Sequence, residues 1–133
     1  MNNQLLENFF KSEAFAVVGA SADQSKYGNK VLRCYMQNHK TVYPVHPYLD
    51  VIEGLKAYTS VLDLPKTVKS ISIITPAPIT EKIIRELAKT GIQHVWMQPG
   101  AESQKAIQGC HDLGLEVIAQ GPCILVYLGF RDV

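Results

Sequence analysis

Glycine, proline and small polar residues recur at five places in this chain, each time directly after a short β-rich run. The first is Gly19-Ala20-Ser21, with Lys26-Tyr27-Gly28-Asn29 close behind it. The others are Val45-His46-Pro47, Thr75-Pro76-Ala77-Pro78, Gln98-Pro99-Gly100 and Gln120-Gly121-Pro122-Cys123. Small and rigid residues let a ligand come close to the backbone. Gly19 permits a tight turn, and Gly28 stands near the start of a helical stretch. The free N–H groups there, with the helix dipole, suit a phosphate. Ser21 adds a hydroxyl and Lys26 a positive charge. The competing explanation, that the glycines only fit a strand-to-helix turn, is the less favoured of the two.

The first loop is not G-x-G-x-x-G, because Ser21 stands where that fingerprint has its second glycine and the loop is longer. Enzymes that bind NAD also place a carboxylate near the end of the second strand. Here that region reads Tyr43-Pro44-Val45-His46-Pro47, with no acid until Asp50. His46, between two prolines, is a possible ligand contact or a plain loop residue. No catalytic set is visible. His39, His46, His94 and His111 are scattered without an HExxH pattern. Cys123 lies in one of the five loops, but a loop thiol without an assigned base is more often inert. Glu102 suits the first turn of a helix, where a carboxylate complements the dipole. Neither a catalytic nor a metal-binding residue is assigned.

Elements that would position these loops follow from the pattern. Phe15 to Gly19, Thr41 to Val45, Val68 to Thr75, His94 to Met97 and Leu115 to Ala119 read as strands. Glu7 to Phe10 reads as the end of a first helix. Further helices are expected from Gly28 to about Asn38, Thr80 to Thr90 and Glu102 to Leu113, the last two stopped by Gly91 and Gly114. Residues 51–55 suggest a small turn element, Tyr58 a short edge strand, and residues 61–65 a helical turn. The apolar run Ile124 to Leu128 is expected as an exposed final strand, able to pair with another chain. Such alternation makes βαβ units, hence an open, doubly wound parallel sheet of about five strands with helices on both faces. All five loops then fall on one edge of the sheet, where ligands bind in such folds.

Bulk properties narrow the function. The 133 residues, 47% hydrophobic and 19% charged, suit one globular domain over residues 1–133. A net charge of +1 gives no case for nucleic acid or an anionic membrane as a partner. No apolar run is long enough to span a bilayer. The start, Met1-Asn2-Asn3-Gln4, lacks the features of a signal peptide. Three widely spaced cysteines, Cys34, Cys110 and Cys123, suit reduced thiols and a cytoplasmic location, with Cys34 and Cys110 expected in the core.

Taken together, the segments 17–21, Gly28, 43–47, Ile52-Glu53-Gly54, Tyr58, Ser60 and Trp96-Met97-Gln98-Pro99-Gly100 resemble the small stand-alone CoA-binding proteins. They are similar to the CoA-binding domain of the succinyl-CoA synthetase α subunit. Ile74 to Pro78 is similar to that subunit's proline-rich loop, and Ala119 to Cys123 to its loop after the last strand. The resemblance implies a Rossmann-like fold with coenzyme A across the carboxyl ends of the strands. It implies that Gly19, Ala20, Ser21, the 26–29 segment and Pro47 meet the nucleotide phosphates, while the 75–78 and 98–100 loops flank the rest. The chain departs from the family pattern at His46, where asparagine is usual. It departs again at Gly121-Pro122-Cys123, where an arginine often precedes the cysteine. The synthetase's later domain, with its phosphorylated histidine, is not implied.

The expected function is therefore binding of coenzyme A or an acyl-CoA, without catalysis of its own. The rivals are a small NAD(P)-dependent oxidoreductase, a CoA-dependent enzyme using Cys123, and an interaction protein with a vestigial pocket.

Overall fold

The computed structural model describes residues 3–121 and 123–132. Met1, Asn2 and Pro122, which entered the readings of the chain start and the last loop, lie outside the described residues.

Five strands form a parallel sheet: β1 (Ala14–Val18), β2 (Thr41–Val45), β5 (Val68–Ile73), β6 (His94–Met97) and β7 (Glu116–Ile118). Their order is β2-β1-β5-β6-β7. A two-stranded hairpin, β3 (Val51–Ile52) with β4 (Leu55–Lys56), lies outside this sheet. Strand β1 is buried at every position, which explains its unbroken apolar sequence. Alternate side chains feed two cores. Ala14, Ala16 and Val18 join Ile83, Ile84 and Leu87 of helix α3 (Ala77–Leu87) and Ala106 and Cys110 of helix α4 (Gln104–Asp112). Phe15 and Val17 point the other way, toward Phe9 of helix α1 (Asn3–Phe10) and Val31, Leu32 and Tyr35 of helix α2 (Tyr27–Gln37). Helices thus cover both faces, and Trp96, about 1% exposed, sits with its edge against Phe9 in the second core. Pro44 is tolerated because β2 is an edge strand. It still takes part in pairing, accepting a hydrogen bond from Tyr58 N at 3.0 Å.

The chain leaves β1 for β2 on one side and β5 for β6 on the other. The strand order therefore reverses between β1 and β5, where a crevice opens beyond the carboxyl ends.

One expectation is overturned. Ile124–Leu128 is not a strand but a short helix, α5. Ile124 is buried, while Val126 and Tyr127 face out, 74% and 48% exposed. An apolar run of this length carries no decisive periodicity, and Gln98 settles the matter by anchoring its first N–H at 2.8 Å. With no strand there, the case for edge pairing through this segment falls.

Candidate functional site

The first loop is shaped by two glycines that act on each other. Gly19 ends β1 at φ +95°, a conformation few side chains adopt. A Cβ there would also press on the Thr75 backbone N and side chain, each at 3.1 Å. Gly28, the second residue of α2, packs directly on the Gly19 carbonyl, and a Cβ at 28 would collide with that oxygen. Helix α2 therefore starts hard against the end of β1. Its first-turn N–H groups, at Tyr27 and Gly28, have no acceptor within the helix.

Between the glycines the loop braces itself. Ser21 Oγ accepts from Asp23 N at 3.1 Å, and Asp23 Oδ1 accepts from Ser25 N at 2.9 Å and Ser25 Oγ at 2.7 Å. The Ser25 hydrogen bonds hold the Asp23 carboxyl below its ordinary range. Lys26 occupies the N-cap position with its side chain exposed.

Asn29, expected as a ligand contact, lies in the first turn of α2. It is fully buried, and its amide is committed on both sides. Nδ2 donates to Ser21 O and Glu53 Oε2, each at 2.9 Å, and Oδ1 accepts from Arg33 Nε at 2.6 Å. Arg33 in turn donates to Gln24 O at 3.0 Å and pairs with Asp132 at 3.3 Å. This chain of polar contacts ties the first loop to α2, to the β3–β4 turn and to the C-terminal segment. It also holds the Glu53 carboxyl below its ordinary range, chiefly through Asn29, then Gln24 and the charge of Arg33.

His46 serves its own turn. Its Nδ1 accepts from Tyr48 N at 3.2 Å and Leu49 N at 3.1 Å. An asparagine makes the same kind of local bond, so the departure at this position keeps the turn.

At the next loop, Thr80 Oγ1 meets Thr75 Oγ1 at 2.9 Å and Thr75 O at 3.1 Å, which fixes the 75–80 turn. Pro76 is the N-cap of α3, and Pro78 sits in its first turn, where its missing N–H costs nothing.

The last two loops meet at Gln98, which is fully buried. Its Oε1 accepts from Tyr27 OH at 3.1 Å and Ile124 N at 2.8 Å. The Ile124 N–H can only donate, so the amide orientation is fixed, and Nε2 is buried with no partner among the described residues. An unmet donor of this kind costs about 1–3 kcal/mol. Pro99 and Gly100 are exposed beyond it, with Gly100 at φ +94°. Cys123, half-buried, caps α5. Burial, with the neighbouring Cys123 thiol adding to it, pushes the Tyr27 hydroxyl well up. Burial pushes the Cys34 and Cys110 thiols up to about 11. With the free protein at pH 8, a thiol-alkylating reagent is expected to label Cys123 first. Cys34 and Cys110 should resist until the chain unfolds, as peptide mass spectrometry would read directly.

All five loops end on the carboxyl edge of the sheet. A cleft of about 380 Å³ opens there on the β2 side of the reversal point, between Gly19, Pro47 and Thr75. Its other wall is Thr59, Ser60 and Val61, with Ile79, Ile83 and Glu86 of α3. None of these six was singled out from sequence as part of this cleft except Ser60, quoted only for its family pattern. The sequence marks a helix from Thr80 to Thr90, but not that the start of α3 overhangs the cleft. A smaller recess of about 160 Å³, bordered by Val68 and Ile92, lies at the opposite edge, away from these loops. Among the described residues no helix is long and apolar enough to cross a membrane, and no cluster of metal-binding side chains occurs.

Comparison with known proteins agrees with this arrangement. The acetate–CoA ligase [ADP-forming] II of Archaeoglobus fulgidus is 33% identical over 106 residues, which cover 78% of this chain and 16% of the ligase. The chain therefore spans less than a fifth of that relative. A conserved hypothetical protein from Pyrococcus furiosus superposes with a TM-score of 0.81 at 38% identity, covering 86% of this chain and 98% of the other. The dinucleotide-forming acetyl-coenzyme A synthetase 1 of Ca. Korarchaeum cryptofilum, solved with phosphate and ADP, gives 0.76 at 32% identity, covering 88% of this chain and 27% of that one. Residues 13–129 match the CoA binding domain family. With its doubly wound sheet and glycine-braced first loop, the chain belongs to that family, a Rossmann-like domain akin to the CoA-binding portion of the succinyl-CoA synthetase α subunit.

Proposed function

We propose that this protein binds coenzyme A, free or acylated, along the carboxyl edge of its sheet and performs no chemistry on it alone. The observation that carries this reading is the fit of Gly28 against Gly19, which leaves the first N–H groups of α2 open beside a cleft at the strand-order reversal. In this reading the diphosphate lies on the first turn of α2, held by backbone donors and, in a screened way, by Lys26. The adenosine occupies the cleft against Pro47, Thr75 and Ile79, with Glu86 within reach of a ribose hydroxyl. The pantetheine arm runs over Gln98 toward Cys123. Gln98 Nε2, a buried donor with no acceptor among the described residues, suits an amide or thioester carbonyl there. Gly19, Ala20, Ser21, Lys26, Tyr27 and Gly28 form the phosphate side of the site. Pro47 and Thr75 wall the cleft, Pro76 and Pro78 follow at the start of α3 beside it, and Gln98, Pro99, Gly100 and Cys123 form the far end of the site. Asn29 and His46 support the site by holding its loops.

Backbone amide NMR on the isotope-labelled protein tests this layout. Adding CoA is expected to shift the amides of Gly19, Tyr27, Gly28, Thr75 and Gln98, and to leave those of Lys66, Gly91 and Gly114 in place. Shifts centred on the opposite edge would refute the site.

A further inference from the structure

Coenzyme A carries a phosphate on its ribose that NAD lacks, so a site built for it needs a cation at the adenosine end. This argument rests on the proposed CoA reading. The loop after β2, Pro47-Tyr48-Leu49-Asp50, supplies no cation, and Tyr48 is 77% exposed. The next cation along the chain, Lys56, has its Nζ over the Tyr58 ring at 5.0 Å from the centroid. Lys26 belongs to the first loop, at the diphosphate.

A second depression, about 560 Å³ and open, runs along the outer side of α3. It borders the cleft, with Ile79, Ile83 and Glu86 lining both. Its floor is apolar, with Leu62 and Ile79 each 47% exposed. Its rim is Lys82, Arg85 and Lys89, all exposed. Among the described residues the ion pairs occupy Lys30, Arg33 and His94, and none of these three rim cations. Lys82 is three residues after Ile79 and four before Glu86, which puts it on the same helix face as both. It is the first of the three rim cations along α3, one turn beyond Ile79, which lines both depressions.

We propose that Lys82 reads the ribose 3′-phosphate of CoA, with Arg85 and Lys89 extending the positive field along α3. A phosphate near neutral pH is close to doubly charged, and a partly exposed lysine acts on it as a point charge, screened by salt. The adenine then lies on Ile79 and Ile83, and the groove holds the phosphate that distinguishes this nucleotide.

Calorimetric titration with CoA and with dephospho-CoA, which lacks only that phosphate, tests the assignment. The unaltered protein is expected to bind CoA about three- to tenfold more tightly, within the range of a single exposed ion pair or slightly above it. Lys82→Gln should remove that preference and leave dephospho-CoA affinity unchanged, while Lys56→Gln should keep it. Raising the salt concentration should shrink the preference in the unaltered protein. A preference that survives Lys82→Gln, or none in the unaltered protein, overturns the assignment while CoA binding itself stands. Failure of both nucleotides to bind overturns the assignment together with the CoA reading beneath it.

Discussion

Gly28→Ala is expected to lower the unfolding free energy by about 2–3 kcal/mol, roughly 10 °C in midpoint for a chain of this length, and to weaken CoA binding sharply. The added methyl meets the Gly19 carbonyl oxygen and comes within 3.3 Å of Ala20 Cα. Both are backbone atoms, so no side-chain rotation relieves the clash. Either α2 moves away from β1 or the first loop opens. Both displace the N–H groups proposed to hold the diphosphate, so stability and affinity fall together. Thermal unfolding and CoA calorimetry on the same preparation measure both. A variant within 0.5 kcal/mol of the parent, roughly the spread of inert surface changes, with full CoA affinity would contradict the close packing and remove this turn from the site.

Asn29→Ala should cost about 3 kcal/mol, because it strips the buried Arg33 of one partner and Glu53 of its main donor at once. The effect on pH dependence has a definite sign. A depressed carboxyl such as Glu53 contributes stability that is present above its unfolded-state value and is lost as pH falls through the folded-state value. Removing Asn29, the largest cause of the depression, should flatten the loss of stability on the acid side of the ordinary carboxylate range. Urea unfolding at neutral and acid pH measures both the drop and the flattening. CoA affinity should fall less than in Gly28→Ala, since in the proposed layout Asn29 acts by holding the loop. An affinity loss larger than for Gly28→Ala, in a folded variant, would restore Asn29 as a direct contact.

Asn29 and His46 show where the sequence stops informing. Asn29 in the first turn of α2 and His46 in the loop after β2 both stand at the carboxyl edge of the sheet, and both read as available to a ligand. What committed them is spatial: Arg33 one helical turn on and Glu53 from the hairpin turn for Asn29, two backbone N–H groups for His46. The strands were legible because parallel strands buried on both faces leave unbroken runs such as Ala14 to Val18, and the glycine–proline loops marked their ends. The wall formed by Thr59, Ile79, Ile83 and Glu86 was not. It exists only where α3 packs against the 59–63 segment beside the ends of β1, β2 and β5. Helix α5 was misread because Ile124 to Leu128 is too short for a period to show, and its conformation depends on Gln98 from a different strand end. Gln98 itself appeared in sequence as a loop polar residue. Its buried amide, bridging Tyr27 and Ile124, is evident only in three dimensions.

In the proposed reading this edge is built for coenzyme A rather than for NAD. The most direct measurement is the thermal midpoint with equal concentrations of CoA and NAD at low and high salt, since a ligand that binds only the folded chain raises it. CoA is expected to raise the midpoint more than NAD, with the gap narrowing as salt screens the extra phosphate. An equal or larger rise with NAD would contradict the claim.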